Sequence, residues 1–227
     1  MTPAIRPGRS SATEFDAPLR EPTITAWTEA ILASDLAPIE DTFAEHGAWG
    51  PVIRWQPDAA NLPHAQLAFL LKHWRALAGG RAMPLSTQID PIDLRPALGY
   101  VSILDVIDSG RDFRFRIHGT HSAAVAGFDM TSHLLSEART SLHAAHYIFA
   151  TYRAVVSRRE PLLAEHGPAK AIATKSWHRL LLPLGDAAGS VSRVLCGLVP
   201  VGKDGRPITG VAGDQANWTS LARTVKR

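Results

Sequence analysis

The sequence is poor in cysteine and has no long apolar run. Cys196 is the single cysteine among 227 residues, which excludes an internal disulfide framework and a zinc site built on cysteines. No apolar run approaches the roughly 20 residues that a membrane-spanning helix needs. The N-terminal segment has no apolar core of a secretory signal. These absences favour a soluble protein of a reducing compartment, and the cytoplasm is the expected location.

An excess of charge is also missing outside the C-terminal end. Residues 202–227 hold five of the 24 Lys and Arg residues and two of the 21 Asp and Glu residues, so residues 1–201 carry 19 of each sign. The formal net charge of +3 therefore belongs to the tail. An extended phosphate-binding face needs clustered cations, so the neutral body makes nucleic acid an unexpected partner.

Two amphipathic segments predict long helices. The first extends from a cap at Asn61 to the pair Gly79-Gly80. Its apolar residues fall on one face at steps of three and four: Leu67, Leu70, Leu71, Trp74 and Leu77. The second helix is predicted over residues 141–159, with an apolar stripe of the same spacing.

Five β-rich runs predict the strands of one sheet. They cover residues 100–107, 113–118, 162–166, 177–184 and 191–201. The order of elements predicts an α+β fold, a five-stranded antiparallel sheet with its helices on one side. The helical insert between the second and third strands predicts a pocket between sheet and helices.

Composition divides the chain into four parts. Residues 1–22 are rich in proline and small polar residues and are expected to form a flexible arm, and residues 23–64 a helical extension and connector. The periodic elements of residues 65–202 form the predicted domain, followed by a basic tail at residues 203–227.

Several ordered motifs resemble the PAS-like domain family common in alphaproteobacteria. The matching positions are Trp74, Gly79, Gly80, Arg81, Met83, Pro84, Asp90, Pro91, Asp105, Arg116, Gly119 and Thr120, followed by Leu182, Pro183 and Leu184. The likeness covers residues 65–202. It departs from the family where residues 127–132 lack the usual Arg and final Gly, and where Ser86 replaces a basic residue. The resemblance implies a PAS-type sensor fold that binds a small molecule, haem or a partner protein.

Some motif residues are expected to be structural. Prolines near Asp90 and Asp93 favour helix caps and turns. Arg116 alternates away from the apolar face of its strand and is expected to pair with Asp105. The predicted structural motif consists of Trp74, Asp90, Asp93, Arg116 and Gly119.

The candidate ligand-binding residues follow from alternation along the strands and from the position of the expected pocket. They are Phe113, Phe115, Ile117, His121, His146, Trp177 and Leu180. For each of them, packing in the core is the competing interpretation. His121 and His146 are each compatible with a haem ligand, and His143 and His146 with a metal pair, but structural histidines are the favoured interpretation. No metal site is predicted, and the cofactor is left unknown.

No catalytic motif is recognisable: the sequence has no nucleophile elbow, P-loop or zinc-protease signature. The leading hypothesis is a non-enzymatic sensor or adaptor that binds a small molecule, a protein partner or a second copy of itself. The alternatives are a small enzyme or ligand carrier that uses the same pocket, and a regulator that contacts nucleic acid through the basic tail.

Overall fold

A computed structural model describes residues 18–138, 140–167 and 174–209. Its helices are α1 (Glu21–Ala33), α2 (Ala37–Glu45), α3 (Ala65–Ala78), α4 (Thr120–Ala126) and α5 (Leu142–Arg158). Its strands are β1 (Val52–Trp55), β2 (Val101–Ile107), β3 (Asp112–Ile117), β4 (Leu162–His166), β5 (Thr174–Gly185) and β6 (Val191–Gly202). The strands form one antiparallel sheet in the order β1-β4-β5-β6-β2-β3. The predicted α+β class is confirmed.

The sheet has six strands within the described residues, one more than the five expected. The additional strand β1 pairs with β4, with Trp55 opposite Leu162. It lies in the segment that was expected to be an extended connector. A strand of four residues at a sheet edge, between prolines, gives too short an alternation to stand out in the sequence.

The first long helix ends where the sequence indicates but begins later. Gly79 closes α3 with φ 55°, a left-handed conformation that glycine adopts without steric cost. Asn61 does not cap α3, because it ends a separate 3-10 turn whose cap is Asp58, and α3 follows His64.

Helices cover both faces of the sheet, so the expectation of helices on one side is wrong. Two neighbours on β6 show this: Cys196 lies beside Tyr152 of α5, whereas a Cβ atom on Gly197 would meet Leu67 and Leu70 of α3. We call these sides the α5 face and the α3 face. Strands covered on both sides need continuous apolar runs, and the runs 180–184 and 194–198 are of that kind.

The N-terminal helix α1 packs on the outer side of α5 through Ile24, Trp27 and Ile31, all buried. It begins at Glu21, inside the segment expected to be a flexible arm. Residues 1–17 and 210–227 lie outside the described residues, so the structure bears on the expected arm and the basic tail only in part.

Candidate functional site

Three buried polar side chains meet between α5 and the sheet. They come from Tyr147 on α5, His166 on β4 and Arg179 on β5, and their exposed fractions are 0%, 4% and 4%. Each has a buried polar atom without a hydrogen-bond partner: the Tyr147 hydroxyl, His166 Nε2 and Arg179 Nη1. Buried polar atoms are nearly always hydrogen-bonded, so three such atoms in one layer call for an explanation. We refer to these residues as the Arg179 cluster.

The pairing of β4 with β5 brings the cluster together. Ala164 lies opposite Arg179 and His166 opposite Trp177, so His166 and Arg179 project from the same face of adjacent strands. The Tyr147 ring contacts the His166 ring edge-on, with centroids 5.4 Å apart. The fold thereby brings side chains together from three separate elements.

Burial keeps the titratable members of the cluster neutral. It lowers the pKa of His166 to about 3, with the Arg179 charge acting in the same direction. Burial also raises the pKa of the Tyr147 hydroxyl well above its ordinary value, and the positive charge of Arg179 opposes that change. All three side chains are buried, so the charge of Arg179 acts on both groups in surroundings of low dielectric constant.

The hydrogen bond of His166 fixes its tautomer. Nδ1 lies 3.1 Å from the carbonyl oxygen of Gly167, and only a protonated Nδ1 can donate to it. The neutral ring therefore presents an unprotonated Nε2, a hydrogen-bond acceptor without a donor. The cluster thus combines two donors, Arg179 and Tyr147, with one acceptor.

A second histidine lies beside the cluster at the start of α5. His143 Nε2 is 3.3 Å from the Ser141 hydroxyl, while the buried Nδ1 has no partner. Its ring contacts those of Phe43 and His46 from α2 and the segment after it. Burial lowers its pKa to about 4. His143 therefore extends the neutral polar region toward α2.

The phenylalanines predicted as pocket residues lie on the α5 face but far across the sheet from the cluster. Phe113 and Phe115 are buried on the edge strand β3, and the Phe113 ring packs 5.1 Å from Tyr152. Ile117 is half-buried on the same strand. Three strand positions separate β3 from β5, and the contacts of Phe113 are with Phe149 and Tyr152, in the second half of α5.

The two candidate histidines do not share a site. His121 on α4 lies beside Tyr100, with ring centroids 4.6 Å apart. His146 faces outward from α5 toward α1, where its Nε2 accepts a hydrogen bond of 3.0 Å from the backbone N–H of Arg20. That nitrogen is therefore occupied, which removes the basis for His146 as an axial haem ligand. Within the described residues, no three His, Cys, Asp or Glu side chains are grouped so that they could hold a metal ion.

The remaining two candidates point to opposite faces. Trp177 lies on the α5 face, opposite His166 and two residues before Arg179, so it flanks the cluster. Leu180 points to the α3 face, where it pairs with Gly197 and packs beneath Leu67 and Leu70. Alternation along β5 separates the two residues that the sequence analysis had joined.

The motif residues make backbone and ion-pair contacts. The Trp74 indole donates to the Pro183 carbonyl at 2.8 Å, and Asp90 accepts from the Ile92 N–H at 2.8 Å. The Asp93 N–H donates to the Asp90 carbonyl at 3.1 Å.

The predicted ion pair is present: Arg116 donates to Asp105 at 3.1 Å. Asp105 also binds Arg193 at 2.8 Å, a partner that the sequence analysis did not find.

Sequence analysis missed the Arg179 cluster entirely. A signal existed on β5, where Arg179 is a cation immediately before the apolar run 180–184 of a strand that must be buried. Tyr147 and His166 gave no comparable signal, because each becomes significant only when β4, β5 and α5 are assembled.

Residues 62–199 match the family model of the PAS domain, which is more than half of the chain. The chain therefore belongs to the PAS domain family. No curated protein and no solved structure shows significant similarity to it. In the part of the chain that the structure describes, no helix is long and apolar enough to cross a membrane.

Proposed function

We propose that this protein is a non-enzymatic sensor that binds a small molecule between α5 and the sheet, at the Arg179 cluster. Membership in the PAS family indicates a sensory or signalling role in general. The observation that carries the finer proposal is the set of three unpartnered, fully buried polar atoms on Tyr147, His166 and Arg179. A bound molecule with complementary groups would satisfy them, whereas in its absence each costs about 1–3 kcal/mol.

The arrangement of α1 supports transmission of the bound state to a partner. The inner side of α5 carries Tyr147, and the residue before it, His146, contacts the chain at Arg20 on the outer side. About two turns after His146, Arg153 forms an ion pair with Glu21 of α1. A shift of α5 on ligand binding would therefore reach α1 directly. In this proposal residues 65–202 hold the ligand, and the predicted extension, residues 23–64, presents the signal to a protein partner or a second copy.

Native mass spectrometry of the full chain purified from its own host tests the proposal. We expect a non-covalent mass excess that disappears on denaturation and falls in the variant Tyr147→Phe. The matched control is Tyr100→Phe, a tyrosine of the 3-10 turn before β2, which should retain the bound molecule.

Two results would contradict the proposal. One is the absence of any bound molecule together with no rise in Tm across a panel of small metabolites. The other is conversion of the bound molecule into a product, because turnover would identify an enzyme. The cytoplasmic location remains a prediction.

A further inference from the structure

One feature of the Arg179 cluster narrows the chemistry of its ligand, if the proposed function holds. Arg179 is 4% exposed, and no acidic residue forms an ion pair with it among the described residues. A guanidinium remains protonated in proteins, and a buried charge without a counterion is strongly unfavourable. The described part of the chain therefore leaves one buried positive charge without a counterion.

Two acidic side chains of the sheet, those of Glu165 and Asp105, lie on the face opposite Arg179. Glu165 follows Ala164, the residue opposite Arg179, and so projects to the α3 face, where Arg54 binds it at 2.5 Å. Asp105 also lies on the α3 face, between Arg116 and Arg193. Both carboxylates are engaged on the side of the sheet opposite Arg179. A counterion for Arg179 on the α5 face must therefore come from outside the described chain.

We propose that the ligand is a small molecule with a single carboxylate group, which binds the Arg179 guanidinium. The planar fork of N–H donors on arginine matches the two oxygens of a carboxylate. The Tyr147 hydroxyl, buried and unpartnered, supplies a further donor for the same anion. One guanidinium beside neutral histidines balances one negative charge, which favours a carboxylate over a phosphate of higher charge.

The unprotonated Nε2 of His166 adds a second requirement. Its lone pair would repel a carboxylate oxygen and accepts a hydrogen bond only from an N–H or O–H group. The ligand therefore carries a hydroxyl or amide N–H near its carboxylate, as a small 2-hydroxy acid or an N-acyl amino acid does. Trp177, two residues before Arg179 on the same face, offers an apolar wall beside these polar groups.

Thermal shift and calorimetric titration of the full chain test the proposal with matched pairs of probes. Each pair is a 2-hydroxy acid or N-acyl amino acid and its neutral primary amide, and inorganic phosphate and sulfate are added separately. We expect at least one acid to bind and its amide to bind about 10- to 100-fold more weakly, the range expected for losing charge-assisted hydrogen bonds. These measurements use the unmodified protein, so they do not depend on the folding of a variant.

Two variants locate the site. Arg179→Met keeps most of the side-chain volume and removes the buried charge, so carboxylate binding should be lost while the ligand-free protein is as stable as the parent or more so. The matched control Arg116→Met removes an arginine of the α3 face and should leave binding unchanged.

The outcomes separate this inference from the proposed function. Binding of a neutral molecule, or of phosphate or sulfate in preference to every acid, overturns the carboxylate inference and leaves the proposed function standing. Carboxylate binding that survives in Arg179→Met also overturns it, as does a ligand-free Arg179→Met protein that is strongly destabilised, since Arg179 would then be a satisfied structural residue. The absence of any bound or binding molecule overturns both.

Discussion

Gly119 packs directly against the backbone of Gly99, and a Cβ atom at residue 119 would come within 2.6 Å of the Gly99 carbonyl oxygen. The same Cβ atom would be 2.9 Å from the backbone nitrogen of Val101, at the start of β2. Because both neighbours are backbone atoms, the contact cannot be relieved by a change of rotamer. This close approach joins the end of the β2–β3 hairpin to the turn that precedes it.

The variant Gly119→Ala should destabilise the protein by about 1–3 kcal/mol, the usual cost of overpacking. Urea denaturation measures the change in free energy of unfolding. The comparison is Gly50→Ala, whose Cβ atom would lie 2.9 Å from Cγ and 3.3 Å from Cβ of the exposed Glu40, so its closest contacts are with side-chain atoms and not with backbone. Equal losses of stability in the two variants would show that a Cβ atom placed against the backbone at Gly119 costs no more than one placed against a side chain.

Acid should destabilise the protein through its buried histidines. Burial lowers the pKa of His64 and His143 from 6.5 to about 4 and that of His166 to about 3. Between these values and 6.5 the unfolded chain binds more protons than the folded one. The free energy of unfolding is therefore highest above pH 6.5 and should fall by up to about 1.4 kcal/mol per pH unit for each histidine as the pH decreases.

Chemical denaturation at several pH values between 7 and 4.5 measures this slope. Replacing His64 or His143 by glutamine should reduce it, because the variant loses one group that must take up a proton on unfolding. If the slope is the same in both variants as in the parent, the pH dependence of stability does not come from His64 and His143.

The unpartnered hydroxyl of Tyr147 predicts that its removal stabilises the ligand-free protein. In Tyr147→Phe the ring and its contacts with Phe43 and His166 remain, and a buried unsatisfied hydroxyl is removed. The expected gain is about 1 kcal/mol in free energy of unfolding, at the low end of the cost of such a group. The measurement is the Tm of ligand-free protein.

The comparison for that measurement is Tyr152→Phe. The Tyr152 hydroxyl lies beside the Cys196 thiol, so its loss should not stabilise the protein. If the Tyr147→Phe variant is less stable than the parent, the Tyr147 hydroxyl of the parent forms a hydrogen bond in solution. The polar atoms of the Arg179 cluster would then have more hydrogen-bond partners than the geometry indicates.

Ile31 is fully buried on α1, the helix that packs on α5, and we expect it to help to hold α1 in place. Ile31→Ala should cost about 2–4 kcal/mol because the cavity cannot be filled from solvent. It should also increase amide hydrogen exchange in residues 21–33 more than in β5 and β6. Ile92→Ala, at an isoleucine that is 60% exposed, is the control and should change stability by less than about 0.5 kcal/mol. Uniform exchange across the whole sheet would show that α1 does not detach by itself.

The sequence by itself determined the local elements. The glycine pair ends α3, alternation along β3 places Arg116 opposite the apolar face, and β-rich runs mark five of the strands. Each of these features depends on residues within about ten positions of one another, where helix and strand periods act directly on the pattern. The order of motifs also indicated the PAS family, which the match over residues 62–199 confirms.

Only the tertiary structure decided which residues form the candidate site. Tyr147, His166 and Arg179 lie as much as 32 positions apart, and the β4–β5 pairing and the path of α5 bring them together. It also decided that α3 covers the second face of the sheet, the face on which Leu180 packs. The burial of Arg179 and the lack of a carboxylate beside it among the described residues are properties of the assembled layers, so the sequence pattern alone could not show them.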